Sequence, residues 1–121
     1  MFSGMYYFGK AIAMDKLPAP IQQFIDSTNA ADSTKFADAF AEDAVLDDWG
    51  SKYRGKAAIR SWDSTDNIGV QSKFELVDFF EEQANVFNVT LSVSGNGHNG
   101  TGPMRFIVED GLIRKLDILP D

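Results

Sequence analysis

The sequence predicts an α+β domain in which helices from the first half of the chain pack on the concave face of a curved, mixed but mostly antiparallel sheet. Three observations lead to this prediction. Apolar residues recur at helical spacing early in the chain, a strand–turn–strand–helix pattern occupies 44–63, and the second half is mostly strand, with clean apolar–polar alternation over 83–95. Strands and helices do not alternate in the βαβ manner, which argues against a doubly wound parallel sheet.

Two helices are predicted before the first strand. Pro18 and Pro20 are well placed to open the first helix, which ends in the segment 29–32. Its apolar stripe consists of Ile21, Phe24, Ile25 and Thr28. Asp32 and Ser33 offer a cap for the second helix. The apolar stripe of that helix consists of Phe36, Ala37 and Phe40.

The remaining elements follow in a simple order. Strands are predicted at 44–49 and 52–54, a third helix at 56–63, and four further strands at 73–80, 83–95, 104–109 and 112–119. Gly95 to Gly102 is predicted to be a turn, and Asp110-Gly111 is a two-residue hairpin signal. The clean alternation of the long strand predicts that its apolar residues face the helices. These residues are Phe87, Val89, Leu91 and Val93.

Composition limits the class of protein. The 121 residues suffice for one hydrophobic core, which we expect at 17–121 after an N-terminal arm at 1–16. A formal net charge of −7 argues against nucleic acid or an anionic membrane as a partner. The chain has no cysteine, which fits a reducing compartment, and we expect a cytoplasmic protein. The apolar arm lacks a basic segment and is not expected to be a signal peptide.

The carboxylates at the end of the first predicted strand are the main candidates for function. Because side chains alternate along a strand, Asp48 points the same way as Leu46, into the core, and Asp47 points away. Asp48 is therefore either a general base or ligand contact in an apolar pocket, or a structural carboxylate. The structural alternatives are an ion pair with Arg54, Arg60 or another cation, and a solvated strand end.

Aromatic and histidine side chains give weaker signals. Trp62, on the apolar side of the third helix, is either core or a pocket wall that stacks on a flat ligand. Trp49 belongs to the pocket rim or to an intersubunit surface. His98 stands alone among glycines and asparagines, so an exposed loop position is expected and no metal site is predicted. No nucleophile elbow accompanies it, which excludes a Ser-His-Asp hydrolase.

The run from 17 to 119 resembles the nuclear-transport-factor-2-like superfamily, particularly its SnoaL-like polyketide cyclase and steroid delta-isomerase branches. The resemblance is carried by the order of the segments 36–44, 45–48, 53–62 and 106–113. It implies a cone-shaped barrel with a cystatin-like fold, a deep and usually apolar pocket inside the cone, and a homodimer formed through the outer sheet face. No cofactor is implied.

The resemblance also implies site residues. Asp48 falls where steroid isomerases keep their proton-shuttling carboxylate, but Phe24 and Met104 occupy the positions of their two oxyanion donors. This departure argues against steroid isomerase activity. The expected pocket residues are Phe24, Phe40, Asp48, Trp62, Phe87, Val89, Met104, Phe106 and Leu116.

Three functions remain open at this point. The first is a binding module for a small apolar or aromatic molecule. The second is a cofactor-free cyclase, isomerase or dehydratase that uses Asp48 as its general base. The third is a protein-interaction subunit that acts through the outer sheet face. A cavity on which Asp48 and a second polar group converge would favour the enzyme, whereas a cone filled by its own side chains would favour the interaction subunit.

Overall fold

A computed structural model of the chain describes residues 16–120. The helices are α1 (Ala19–Asn29), α2 (Ser33–Asp38) and α3 (Lys56–Asp66), followed by a short 3-10 helix (Ile68–Val70). The strands are β1 (Phe40–Asp48), β2 (Ser51–Arg54), β3 (Lys73–Gln83), β4 (Val86–Ser94), β5 (Gly100–Glu109) and β6 (Leu112–Ile118). Except for Lys16, the predicted N-terminal arm lies outside the described residues. The prediction that this arm is not a signal peptide also concerns residues outside that range.

The six strands form one curved sheet with the order β2-β1-β6-β5-β4-β3. Only the contact between β1 and β6 is parallel, and the other neighbours are antiparallel. The three helices pack on one face of this sheet. The predicted α+β architecture is therefore confirmed. Among the described residues, no helix has the length and apolar character needed to cross a membrane.

The register of β4 agrees with its sequence pattern. Phe87, Val89 and Leu91 are buried on the helix-facing side, whereas Asn88 and Thr90 lie half-buried on the outer side. Cross-strand pairing carries this division into β5, where Phe106 lies opposite Phe87 and Met104 lies opposite Val89. The inner face of the sheet is thus apolar across neighbouring strands.

Aromatic rings fill the interior between helices and sheet. The ring of Phe24 on α1 lies 5.5 Å from Phe36, 5.2 Å from Phe74 and 5.3 Å from Phe106, measured between centroids. Phe24, Phe36, Phe40 and Phe106 are each fully buried. Such offset and edge-to-face contacts are the favourable geometries for aromatic pairs. Much of the cone is therefore occupied by the protein's own side chains.

Several predicted boundaries are wrong. The third helix continues to Asp66, and Gln83, the predicted start of the long strand, is the last residue of β3. Asp32 caps α2 as predicted, accepting a hydrogen bond from Lys35 N at 3.0 Å, but the helix ends at Asp38 and Phe40 already belongs to β1. The backbone of Ile113 donates to Ala39 O at 2.8 Å, so pairing with β6 takes over from the helix. Similarly, β5 begins at Gly100 inside the predicted turn because Gly100 and Gly102 pair with β4.

Candidate functional site

The two adjacent aspartates at the end of β1 face opposite sides of the sheet, as their spacing predicts. Asp47 lies on the outer side with Lys52, whose Nζ is 2.6 Å from Asp47 Oδ2, and it also accepts a hydrogen bond from Gly50 N at 2.7 Å. The hydrogen bond from Lys52 is the main cause that lowers the pKa of Asp47. Asp47 is therefore tied to its own turn.

Asp48 lies on the inner side, next to Ile118 of β6. Its Oδ2 accepts a hydrogen bond of 3.0 Å from the indole Nε1 of Trp62 on α3. Trp62 is only 4% exposed and stacks against Phe36 at 6.2 Å between ring centroids, so the donor is held firmly. Within residues 16–120 Asp48 forms no ion pair, and the alternative of a partnership with Arg54 or Arg60 is therefore not what the structure contains.

A cavity of about 300 Å³ opens beside this carboxylate at one end of the cone. Its apolar walls come from Trp62, Phe74, Val93, Met104 and Ile118. Its polar side chains are Asp48, Asp66, Asn67, Ser72 and His98, and Trp49 also contributes to the lining. Asn67 and Ser72 are buried, whereas Asp66, His98 and Trp49 are exposed. The site therefore has a closed floor and an open rim.

Within residues 16–120, two buried polar atoms of the floor have no hydrogen-bond partner. Asn67 Nδ2 donates hydrogen bonds of 3.0 Å to both Thr28 Oγ1 and Asp63 Oδ1. Neither Asn67 Oδ1 nor the hydroxyl of Ser72 takes part in a side-chain hydrogen bond within the described part of the chain. Buried polar atoms are normally hydrogen-bonded. Both residues line the cavity, where Asn67 is 1% exposed and Ser72 is 5% exposed.

Asp63 lies behind the cavity floor and does not line it. Its side chain is 2% exposed and accepts hydrogen bonds from Asn67 Nδ2 and from Ile68 N at 3.3 Å. Burial raises the pKa of Asp63, although these hydrogen bonds act in the opposite direction. Asp63 thus orients Asn67 from the side away from the cavity.

The structure brings together only part of the set of pocket residues that the sequence predicts. Asp48, Trp62 and Met104 line the cavity. The other predicted members belong to the packed core and do not line this cavity, and they are Phe24, Phe40, Phe87, Val89, Phe106 and Leu116. Phe24 sits among other rings, which explains why it does not reach the open end.

Several polar side chains that line the cavity have no functional role predicted from the sequence. His98 is exposed, as predicted, yet its ring lies 5.6 Å from that of Trp49 in an edge-to-face arrangement on the cavity rim. The sequence gives no specific functional signal for Asp66, Asn67 and Ser72, because all three follow the predicted third helix; in the structure Asp66 is the last residue of α3, and the other two lie in the connection to β3. The sequence signal for them is a cluster of polar residues between two apolar segments. In residues 16–120, no group of three potential ligand side chains is arranged to hold a metal ion.

The fold and the cavity together define a class of protein: a cone-shaped α+β domain with a ligand-sized cavity at one end. Within this class, the chain belongs to the SnoaL-like domain family, whose model matches residues 21–116. The resemblance to the nuclear-transport-factor-2-like superfamily is therefore confirmed. No curated protein matches the chain.

Solved structures share this fold. A candidate polyketide cyclase from Sinorhizobium meliloti is 27% identical, with a TM-score of 0.78 over 85% of this chain and 95% of that one. Rv0760c from Mycobacterium tuberculosis, in complex with estradiol-17β-hemisuccinate, is 17% identical, with a TM-score of 0.73 over 82% and 88% of the two chains. The Δ5-3-ketosteroid isomerase from Mycobacterium sp. is 22% identical, with a TM-score of 0.71 and the same coverage.

Proposed function

We propose that this protein binds a small apolar or aromatic molecule in the end cavity and that Asp48 is the principal polar contact. The observation that carries the proposal is a carboxylate held by an indole N–H, without a cationic partner in residues 16–120, on the wall of a largely apolar cavity. A few convergent polar groups in an apolar pocket are typical of small-molecule sites.

The size of the cavity and the relatives support this proposal. A volume of about 300 Å³ lies at the lower end of the range for ligand pockets, which suits a compound of a few rings. One structural neighbour is in complex with a steroid ester, and another is a candidate polyketide cyclase. Both associations concern ring compounds, and the aromatic wall formed by Trp62 and Phe74 suits such a ligand.

Binding is tested with N-phenyl-1-naphthylamine, a neutral two-part aromatic probe whose fluorescence rises in apolar surroundings. We expect saturable binding to the wild-type protein. The matched variant is Val93→Trp, because Val93 lines the cavity opposite Gly100 on β5 and a larger side chain there occupies the ligand's space. Binding should fall in this variant while its melting transition remains cooperative. Absence of binding to the wild type, or equal binding to Val93→Trp, would contradict the proposal.

A cofactor-free enzyme of the cyclase, isomerase or dehydratase type is the second candidate. The observation that favours it is that Asp48 lines the same cavity as the polar residues Asn67 and Ser72. A general base that abstracts a proton next to a carbonyl group needs a donor for the developing negative charge. Met104 and Phe24 supply no such donor, so the Ser72 hydroxyl is the proposed one. This arrangement differs from the donor pair that the resemblance to steroid isomerases implies.

The enzyme hypothesis is tested without knowledge of the substrate by hydrogen–deuterium exchange of 2-tetralone in D2O. Abstraction of an α-proton by Asp48 gives an enolate, and reprotonation from solvent introduces deuterium. We expect the wild type to accelerate exchange above the buffer rate and Asp48→Asn to lose about 10²-fold or more of that acceleration. Exchange at the buffer rate, or equal rates for both proteins, would reject Asp48 as a base.

We also propose that the protein forms a homodimer through the outer sheet face. Val45, Val86 and Ile107 lie in one row across that face because Val86 pairs with Ile107, which pairs with Lys115, which pairs with Val45. At the sheet edge, Val77 and Phe80 are more than half exposed, whereas Phe79 packs against the core. A subunit that binds another protein through this same surface is the third candidate function.

A cytoplasmic location is proposed on composition alone. The chain contains no cysteine, in keeping with a reducing compartment. Cell fractionation of the tagged protein in its native host, with markers for cytoplasm and envelope, tests this proposal. Recovery in the envelope fraction would reject it.

A further inference from the structure

Within residues 16–120, the charged lysine, arginine, aspartate and glutamate side chains that line the cavity are all acidic. Asp48 stands on its wall and Asp66 on its rim, and no lysine or arginine belongs to the lining among the described residues. His98 is the other ionisable side chain there. A molecule that enters therefore meets two carboxylates.

These carboxylates are not neutralised from behind. In the described part of the chain, no ion pair involves Asp48 or Asp66, and the side chain of Asp48 is hydrogen-bonded to the uncharged indole of Trp62. By contrast, Lys52, Arg105 and Lys115 lie in the outer face of the sheet, in pairs with other acidic residues. The division of charge between the two sides of the sheet leaves the cavity electronegative.

We propose that the cavity selects uncharged or cationic ring compounds and rejects those that carry a carboxylate, sulfonate or phosphate group. This inference rests on the proposed function and adds the substrate class. An anionic ligand would lose hydration on entering an apolar space and would gain no cationic partner there. It would also be repelled by carboxylates at short range, where the effective dielectric constant is below that of water. Hydroxyl and amine groups, in contrast, can donate to the carboxylate of Asp48 on the wall or of Asp66 on the rim.

The test compares two probes with the same aromatic framework. N-phenyl-1-naphthylamine is neutral, and 1-anilinonaphthalene-8-sulfonate adds one sulfonate to it. At low ionic strength we expect the wild type to bind the neutral probe at least about tenfold more tightly. Because salt screens exposed charges, part of this gap should close as ionic strength rises from about 20 mM to several hundred mM.

A sulfonate also makes a probe less hydrophobic, so the decisive measurement is how the affinity ratio changes when the carboxylates are neutralised. We expect Asp48→Asn and Asp66→Asn each to narrow the ratio, and the double variant to narrow it most, by about tenfold. Asp110→Asn is the matched control. It makes the same change in charge in the turn before β6, whereas the cavity lies at Ile118, the other end of that strand.

The outcomes separate this inference from the function on which it rests. If the neutral probe binds and the sulfonate binds equally well, or if the double variant leaves the ratio unchanged, charge selection is rejected and the binding function stands. If neither probe binds, the proposed function fails and the inference falls with it. Circular dichroism and thermal melts of each variant establish that the differences arise in folded protein.

Discussion

Asp47 and Asp48 are neighbours in sequence with different chemical surroundings. One carboxylate is bound by a lysine and a turn amide, and the other by an indole N–H next to a cavity. The difference follows from the two-residue period of the strand, which sends adjacent side chains to opposite faces. A partner that donates an N–H without carrying charge fixes one oxygen of Asp48 and leaves its charge available to a ligand.

Substituting Asp48 with asparagine should therefore change stability little. The amide oxygen of the new side chain can accept the same bond from Trp62 Nε1, so we expect the free energy of unfolding to change by less than about 1 kcal/mol. A buried ion pair broken in this way would lose about 3–5 kcal/mol. Urea denaturation of the two proteins distinguishes these cases, and a loss in the larger range would show that Asp48 has a structural role that these contacts do not reveal.

Asp63 should make stability depend on pH. Because burial raises its pKa in the folded protein, the folded state holds its proton at pH values where the unfolded chain has lost it. This contribution is complete below the ordinary aspartate pKa of 3.8 and is lost as pH rises through the higher folded pKa. Relative to Asp63→Asn, the wild type should thus become less stable as pH rises from about 4 towards neutrality.

The measurement is a set of urea denaturation curves for both proteins across that pH range. Asparagine keeps an acceptor for Asn67 Nδ2 but does not titrate, so the difference between the two stability profiles isolates Asp63. A difference that stays flat, or that favours the wild type as pH rises, would contradict the predicted direction.

At the scale of elements, the connection from α3 to β3 shapes the cavity floor. It carries Asn67 and Ser72, and the backbone N–H groups of Val70 and Ser72 donate to Asn67 O at 3.1 Å. Gly69 lies within this connection, and a Cβ atom built on it would collide with the backbone carbonyl of Ser64. Backbone atoms at the end of a helix cannot move aside as a side chain can. The tight path of the chain here depends on glycine.

Gly69→Ala should therefore destabilise the protein by about 1–3 kcal/mol, as overpacking of a close contact typically does. Gly97→Ala is the control, since its added Cβ would meet a methyl group of the Val70 side chain at 2.9 Å and not a backbone carbonyl, a milder overlap than the one at Gly69. We expect Gly97→Ala to lower the free energy of unfolding less than Gly69→Ala does. Thermal and urea denaturation measure both, and equal losses would show that the Gly69 connection relaxes more easily than its geometry indicates.

The elements also show what the sequence could and could not predict. Clean alternation identified β4 and its inner face, because burial of one face repeats at every second residue. The sequence does not predict the start of β1, because Phe40 fits a helical stripe as well as a strand. Only its pairing with Ile113 decides between helix and strand. The sequence does not predict the burial of Asn67 and Ser72 for a related reason. Their burial arises from the packing of a connection that has no periodic pattern.

At the scale of the molecule, the inner and outer faces of the sheet divide the chemistry between them. The inner face is apolar and ends in the electronegative cavity, whereas the outer face mixes charges of both signs with a row of aliphatic side chains. A surface with both signs of charge can be complementary to itself in a twofold arrangement. The outer face is therefore suited to a second copy of the chain, while the cavity stays open at the end of the cone.

Light scattering at micromolar concentration should give twice the monomer mass for the wild type. Ile107→Glu places a charge at the centre of the outer face, where Ile107 lies between Val86 and Lys115, and burying that charge without a partner in a dimer is unfavourable. This variant should have the monomer mass. Ser61→Glu, an exposed position on α3 on the other side of the sheet, is a control that should remain dimeric. Ile107 does not line the cavity, so binding of N-phenyl-1-naphthylamine by Ile107→Glu shows whether the site is complete within one subunit. A monomeric wild type would reject the dimer.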